Sequence, residues 1–123
     1  MSNSESSTVT TRGSVTIICP CEQISNLYEA QLESVGLTTE FASLLSTPLL
    51  IVDLRNVKFI GSAFLGRMVA IQKELESRDN GRLALVEMSS FCRAALAVSK
   101  LDTVLEIYPT VEDALKAFGR TGA

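Results

Sequence analysis

The chain contains no histidine and no tryptophan. Without imidazole there is no Ser-His or Cys-His nucleophile, no histidine general base and no histidine-bearing zinc site. Aromatic residues make up only 6%, which leaves little for the base-stacking platforms of nucleic-acid binders. Positive charge is short as well. Eleven Lys and Arg stand against fourteen Asp and Glu, for a net charge of −3. Phosphate neutralisation needs a basic surplus, so the partners read as proteins or small ligands, with no nucleic acid. No apolar run approaches the roughly 20 residues of a transmembrane helix. The Ser-rich start has neither a basic n-region nor an apolar stretch, so no membrane association and a cytoplasmic location are expected. Three cysteines, an odd number, argue against a disulfide framework. Cys19 and Cys21 lack a second pair and would share one strand face as small hydrophobes, so no metal is expected. No Gly-rich stretch leads into Lys-Ser/Thr, which excludes a P-loop.

What is present is an ordinary globular composition. The chain has 123 residues, 46% of them hydrophobic and 20% charged, enough for one core without staples. Residues 1–7 are expected as a flexible tail, 8–119 as a single domain and 120–123 as a C-terminal tail. Residues 7–11 and 14–19 have strand composition around Arg12-Gly13, which predicts an antiparallel hairpin. A helical spacing runs over 25–46, as one bent helix or two short ones. Residues 49–54 form a continuous apolar run, the pattern of a central strand buried on both faces, and Phe59-Ile60 extends that apolar segment. Phe64, Met68, Ile71 and Leu75 form one stripe of a helix over 63–77. A turn at 79–81 places Gly81 at positive φ. A second buried strand follows at 83–86, then a helix over 91–98 capped by Ser89 or Ser90. A short strand at 104–108 precedes a last helix capped by Thr110. Alternating strands and helices with short connections predict a small α/β fold. Its sheet is mixed, mostly parallel and four- to five-stranded, with helices packed on it.

In such sheets function gathers where strand C-termini hand over to helices. The candidate is the loop 57–66, after the most buried strand. Ser62 stands where the next helix should start. Its hydroxyl could serve as an N-cap, with Gly61 supplying turn freedom and Gly66 close helix packing. The same position could also accept a phosphate, whose charge would face the positive end of a helix dipole, although local spacing by itself favours the cap. The segment resembles a nucleophile elbow in outline, but it is not GxSxG and lacks a histidine base.

Residues 49–54 followed by Val57-Lys58-Phe59-Ile60-Gly61-Ser62-Ala63-Phe64-Leu65-Gly66 resemble the signature of the STAS domain, the family of bacterial anti-sigma factor antagonists. Gly81 to Val86, Leu101-Asp102, Leu105 to Tyr108 and Glu112 to Leu115 extend the resemblance over most of 49–118. The family motif is Asp-Ser-Ser/Thr-Gly-Leu-Gly, with its first Ser as phosphoacceptor. Ser62 matches that Ser, Leu65 the Leu and Gly66 the last Gly. Gly61 stands at the Asp position and Phe64 at the first Gly. Pro20-Cys21-Glu22 stands where the family has Gly-Glu-Leu-Asp.

The resemblance implies a non-enzymatic switch with no cofactor. A GHKL-type anti-sigma factor serine kinase would bind the protein and phosphorylate Ser62, and a PP2C-type phosphatase would reset it. Gly61, Ala63, Phe64 and Arg67 would line the docking surface, and Asp53 and Gly66 would order the loop. The spacing also lets Phe64 turn inward with the apolar stripe, and lets Arg67 be a solvated residue on a polar face. The protein would act as a monomer or weak dimer. The alternatives are a STAS scaffold in which Ser62 is only a cap, or a small-ligand sensor.

Overall fold

The computed structural model describes residues 7–21, 26–27 and 29–119. The expectations placed on 1–6, 22–25, 28 and 120–123, which include most of both tails and Glu22, lie outside the described residues. In chain order the strands are β1 (Ser7–Arg12), β2 (Val15–Pro20), β3 (Asn26–Leu27), β4 (Leu49–Asp53), β5 (Phe59–Ile60), β6 (Arg82–Val86) and β7 (Glu106–Tyr108). The helices are α1 (Glu29–Val35), α2 (Thr39–Ser43), α3 (Ser62–Glu76), α4 (Ser90–Ser99) and α5 (Val111–Gly119).

Every residue of β4 is buried, and successive side chains alternate between faces. Leu50 and Val52 join one core, while Leu49 and Ile51 join another on the opposite side. The same division sends Leu83 and Leu85 of β6 one way and Ala84 and Val86 the other. A strand buried on both faces must sit in the middle of a sheet covered twice. The five-stranded sheet accordingly runs β1-β2-β4-β6-β7. β2, β4, β6 and β7 pair in parallel. β1 joins antiparallel to β2 through a turn in which Gly13 takes φ +62°.

Helices α1 to α4 cover one face. The stripe Phe64, Met68, Ile71 and Leu75 of α3 is fully buried there, with Leu32, Ala42, Cys92 and Leu96 from the other three. α5 covers the second face, setting Ala114 and Phe118 over Val15, Ile17, Ile51 and Val86. Arg82 of β6 stands against the Phe118 ring at 4.7 Å, and its Nε donates to Glu106 Oε2 at 3.0 Å. The Tyr108 hydroxyl donates to the same carboxylate at 2.8 Å. Burial pushes the Glu106 carboxyl up, but these bonds outweigh it and hold it below the ordinary value of 4.5.

Several local expectations are corrected. Within 25–46 only the start is corrected, since Asn26–Leu27 is a strand; the rest forms two short helices, α1 and α2, one of the two forms expected. Gly36 at φ +85° ends α1, and Thr38 caps α2 by accepting from Phe41 N at 3.0 Å. Ser7 is part of β1 rather than of a tail; it is buried, and its hydroxyl donates to the Val35 carbonyl at 2.9 Å. Asn80, not Gly81, takes positive φ. Gly81 answers a different need, since a Cβ there would lie 1.7 Å from the Leu75 carbonyl oxygen.

Candidate functional site

The handover from β4 to α3 begins at Asp53, buried at the C-terminal end of its strand. Its Oδ1 accepts from the Arg55 amide at 3.0 Å, and the Arg55 Nε donates to Oδ2 at 2.9 Å. Arg55 Nη2 also reaches Glu87 at 3.5 Å. Asp53 therefore shapes the turn after β4 and spends its charge there. Nearby, Asn56 Nδ2 donates to the Pro20 carbonyl at 3.1 Å and ties the turn to the end of β2. Burial, then the Asp53 charge, pushes the Cys19 thiol up to about 11, so it stays protonated and weakly nucleophilic at neutral pH.

The chain then pairs briefly with β3, Asn26 opposite Phe59 and Leu27 opposite Ile60. This two-residue ladder sets where α3 can begin. Gly61 is the N-cap, extended at φ −116° and ψ −179°, and no side chain caps the helix. Ser62 is thus the first helical residue, not the cap that its position suggests. The Gly61 conformation is open to any residue, so turn freedom does not require glycine there. Ser62 is exposed, and its hydroxyl makes no hydrogen bond among the described residues. The amides of Ser62, Ala63 and Phe64 precede the first intrahelical bond, Leu65 N to Gly61 O at 3.3 Å. α3 has no acidic residue in its first turn. The site therefore combines a free hydroxyl with an uncompensated positive helix end.

The other candidates fall in different places. Ala63 is half-buried against the core. Phe64 is fully buried and presents nothing to a partner. Its place in the apolar stripe prevails over the docking role that the resemblance implies. Arg67 is neither solvated nor free to dock: its Nη1 donates to the Leu37 carbonyl at 2.7 Å and pairs with Glu33 at 3.1 Å. It ties α3 to the α1–α2 connection. Gly66 is exposed, and a Cβ there would meet nothing within 4 Å. Close packing therefore does not require glycine there. Sequence reasoning misses a ring pair beside the site, Phe59 and Phe91, edge to face with centroids 5.2 Å apart. The available signal is Phe91 itself, which lies off the buried Cys92–Leu96 line of α4.

The STAS domain model matches residues 13–114, most of the chain. The chain belongs to the STAS domain family. An anti-sigma-factor antagonist (STAS) domain protein from Planctomyces limnophilus is 30% identical, with a TM-score of 0.79 over 91% of this chain and 96% of that one. An anti-sigma factor antagonist from Mycobacterium paratuberculosis is 22% identical, with a TM-score of 0.78 over 91% and 92%. The anti-sigma factor antagonist SpoIIAA in its unphosphorylated form is 17% identical, with a TM-score of 0.65 over 95% and 98%. No curated protein matches the chain significantly. Among the described residues of this STAS domain, no helix is long and apolar enough to cross a membrane.

Proposed function

We propose that this STAS domain is an anti-sigma factor antagonist that works as a phosphoswitch. Unphosphorylated, it binds a GHKL-type anti-sigma kinase and frees the sigma factor. Ser62 Oγ then attacks the γ-phosphorus of the kinase's ATP. Its proton passes to a base on the kinase, the new O–P bond forms and ADP leaves. A PP2C-type phosphatase returns the serine by hydrolysis, releasing inorganic phosphate. The chemistry belongs to the two enzymes, which suits a chain without histidine.

The observation that carries this reading is Ser62 at the first position of α3, exposed and unengaged, at a helix end without a cap. The new phosphate would meet open amides and a favourable dipole, so the domain accepts it without refolding. Gly61 leaves no carboxylate beside it to repel it. The likeness to the Planctomyces protein, an anti-sigma-factor antagonist, supports the same reading.

Incubation with the anti-sigma kinase and Mg-ATP, followed by intact mass, tests it. One added phosphate is expected on the wild type and none on Ser62→Ala. No phosphate on the wild type, or equal labelling of Ser62→Ala, overturns the switch and leaves the scaffold. Ser62→Asp should bind the kinase more than tenfold more weakly.

A further inference from the structure

The sheet ends at β7 on one side, and a small recess opens there, just past the C-terminal ends of β6 and β7. It measures about 140 Å³ and is lined by Met88, Arg93, Ile107, Tyr108 and Pro109. Three segments meet in it: the chain leaving β6, the first turn of α4 and the chain running from β7 to α5. Its walls are fixed before any ligand arrives. Met88 and Ile107 are half-buried and pack against the core. Glu87, just before Met88, sits in the left-handed region at φ +60°, where a residue with a side chain is uncommon. In that conformation its amide donates to the Pro109 carbonyl at 3.2 Å. One strained residue thus joins the two sides of the recess. Such strain persists only where the surroundings over-determine it, and it gathers at ligand clamps.

The charge in the recess has one sign. Arg93 is the only charged residue in the lining and the only one in α4. Its guanidinium makes no ion pair or hydrogen bond among the described residues. The two acids next to the lining in sequence are already paired, Glu87 with Arg55 and Glu106 with Arg82. The Tyr108 hydroxyl is spent on Glu106 as well. What remains is one free guanidinium beside the apolar side chains of Met88, Ile107 and Pro109.

We propose that this recess binds a small monocarboxylate with a short hydrocarbon body. The carboxylate lies on Arg93, whose planar fork matches two carboxylate oxygens at once. The body lies against Met88, Ile107 and Pro109. A cavity of about this volume holds a body the size of benzene. Inorganic phosphate would answer the charge but leave the hydrocarbon walls unused. An apolar lining with few polar groups is the usual build of a small-molecule site. No residue of the Ser62 loop takes part, so the site stands or falls apart from the phosphoswitch.

The test titrates 3-methylbutanoate into the protein, labelled with nitrogen-15 and with carbon-13 at the methionine methyls, and follows it by NMR. The Arg93 and Tyr108 amides and the Met88 methyl should shift and saturate, with a Kd of about 1 mM or tighter. The uncharged 3-methylbutanamide and inorganic phosphate, at matched ionic strength, should each bind at least tenfold more weakly. Arg93 is exposed, so Arg93→Gln should keep the wild-type spectrum without ligand, and it should raise the Kd at least tenfold. Arg93→Lys, which keeps the charge and loses the fork, should fall between the two. Lys100→Gln, at the C-cap of α4, should bind as wild type does. No saturable shift up to about 20 mM overturns the site. Shifts that Arg93→Gln retains, or a weakening that Lys100→Gln shares, overturn it too. Equal binding of phosphate or of the amide overturns the carboxylate as its ligand.

Discussion

Two helices of this domain begin in opposite ways. α5 starts as electrostatics favours: the Thr110 hydroxyl accepts from the Asp113 amide at 3.1 Å, and Glu112 and Asp113 stand in its first turn. α2 and α4 are capped in the same manner by Thr38 and Ser89. α3 is the longest helix described, and its first turn has neither a side-chain cap nor an acid. Its start is held by packing instead, through Phe64 beneath it and the Arg67 tie to Leu37 one turn further on. A helix end that is secured from below can leave its upper surface open. That is what a reversible phosphate requires, because a cap would have to be displaced each time.

The largest test of this contrast is Phe64→Ala. If packing holds the start of α3, the loss should be about 3–5 kcal/mol by urea denaturation; a cost near that of a surface change would mean that the helix end is held otherwise. Next come the two hydroxyls. Thr110→Ala should cost about 1 kcal/mol, whereas Ser62→Ala should stay within about 0.5 kcal/mol. Equal costs would make Ser62 a cap after all. Gly66→Ala should raise stability by about 0.5–1 kcal/mol, because its Cβ enters open space on a helix. A loss there would reveal a packing role that the geometry denies.

The smallest effect concerns the α5 side. Glu106 is held below 4.5 when folded, so its contribution is present above the unfolded value and lost as the pH falls through the folded one. Urea midpoints between about pH 7 and about pH 3 should fall less steeply for Glu106→Gln than for wild type. Parallel falls would show that the Arg82 contact does not lower this carboxyl.

The two helix starts also differ in how far the local sequence reveals them. The cap at Thr110 is legible, and that of α4 is narrowed to Ser89 or Ser90, because a hydroxyl before an apolar helix has few other uses. The buried run at β4 and the Phe64–Leu75 stripe are legible too, because two-sided burial and a 3.6-residue period leave marks in composition and spacing. Ser62 stands one residue away from the cap position that its surroundings suggest. The start of α3 is set by the pairing of 26–27 with 59–60, a contact between segments far apart in the chain. Gly81 sits in a turn, yet its need comes from the Leu75 carbonyl against which it packs. Gly66 reads as functional from its place in the motif and Arg67 from lying beside it, but Arg67 is engaged by Leu37 and Glu33, and a Cβ at Gly66 would meet nothing within 4 Å.

By itself the sequence determined the alternation of strands and helices, the central position of β4 and the absence of any histidine chemistry. These follow from residue types and local periods. Only the tertiary structure decided that Phe64 lies inside while Phe59 and Phe91 meet outside, and that the serine at the head of α3 keeps its hydroxyl free. Those depend on which distant segments share a surface, and burial there is a property of the packed chain rather than of any stretch of it.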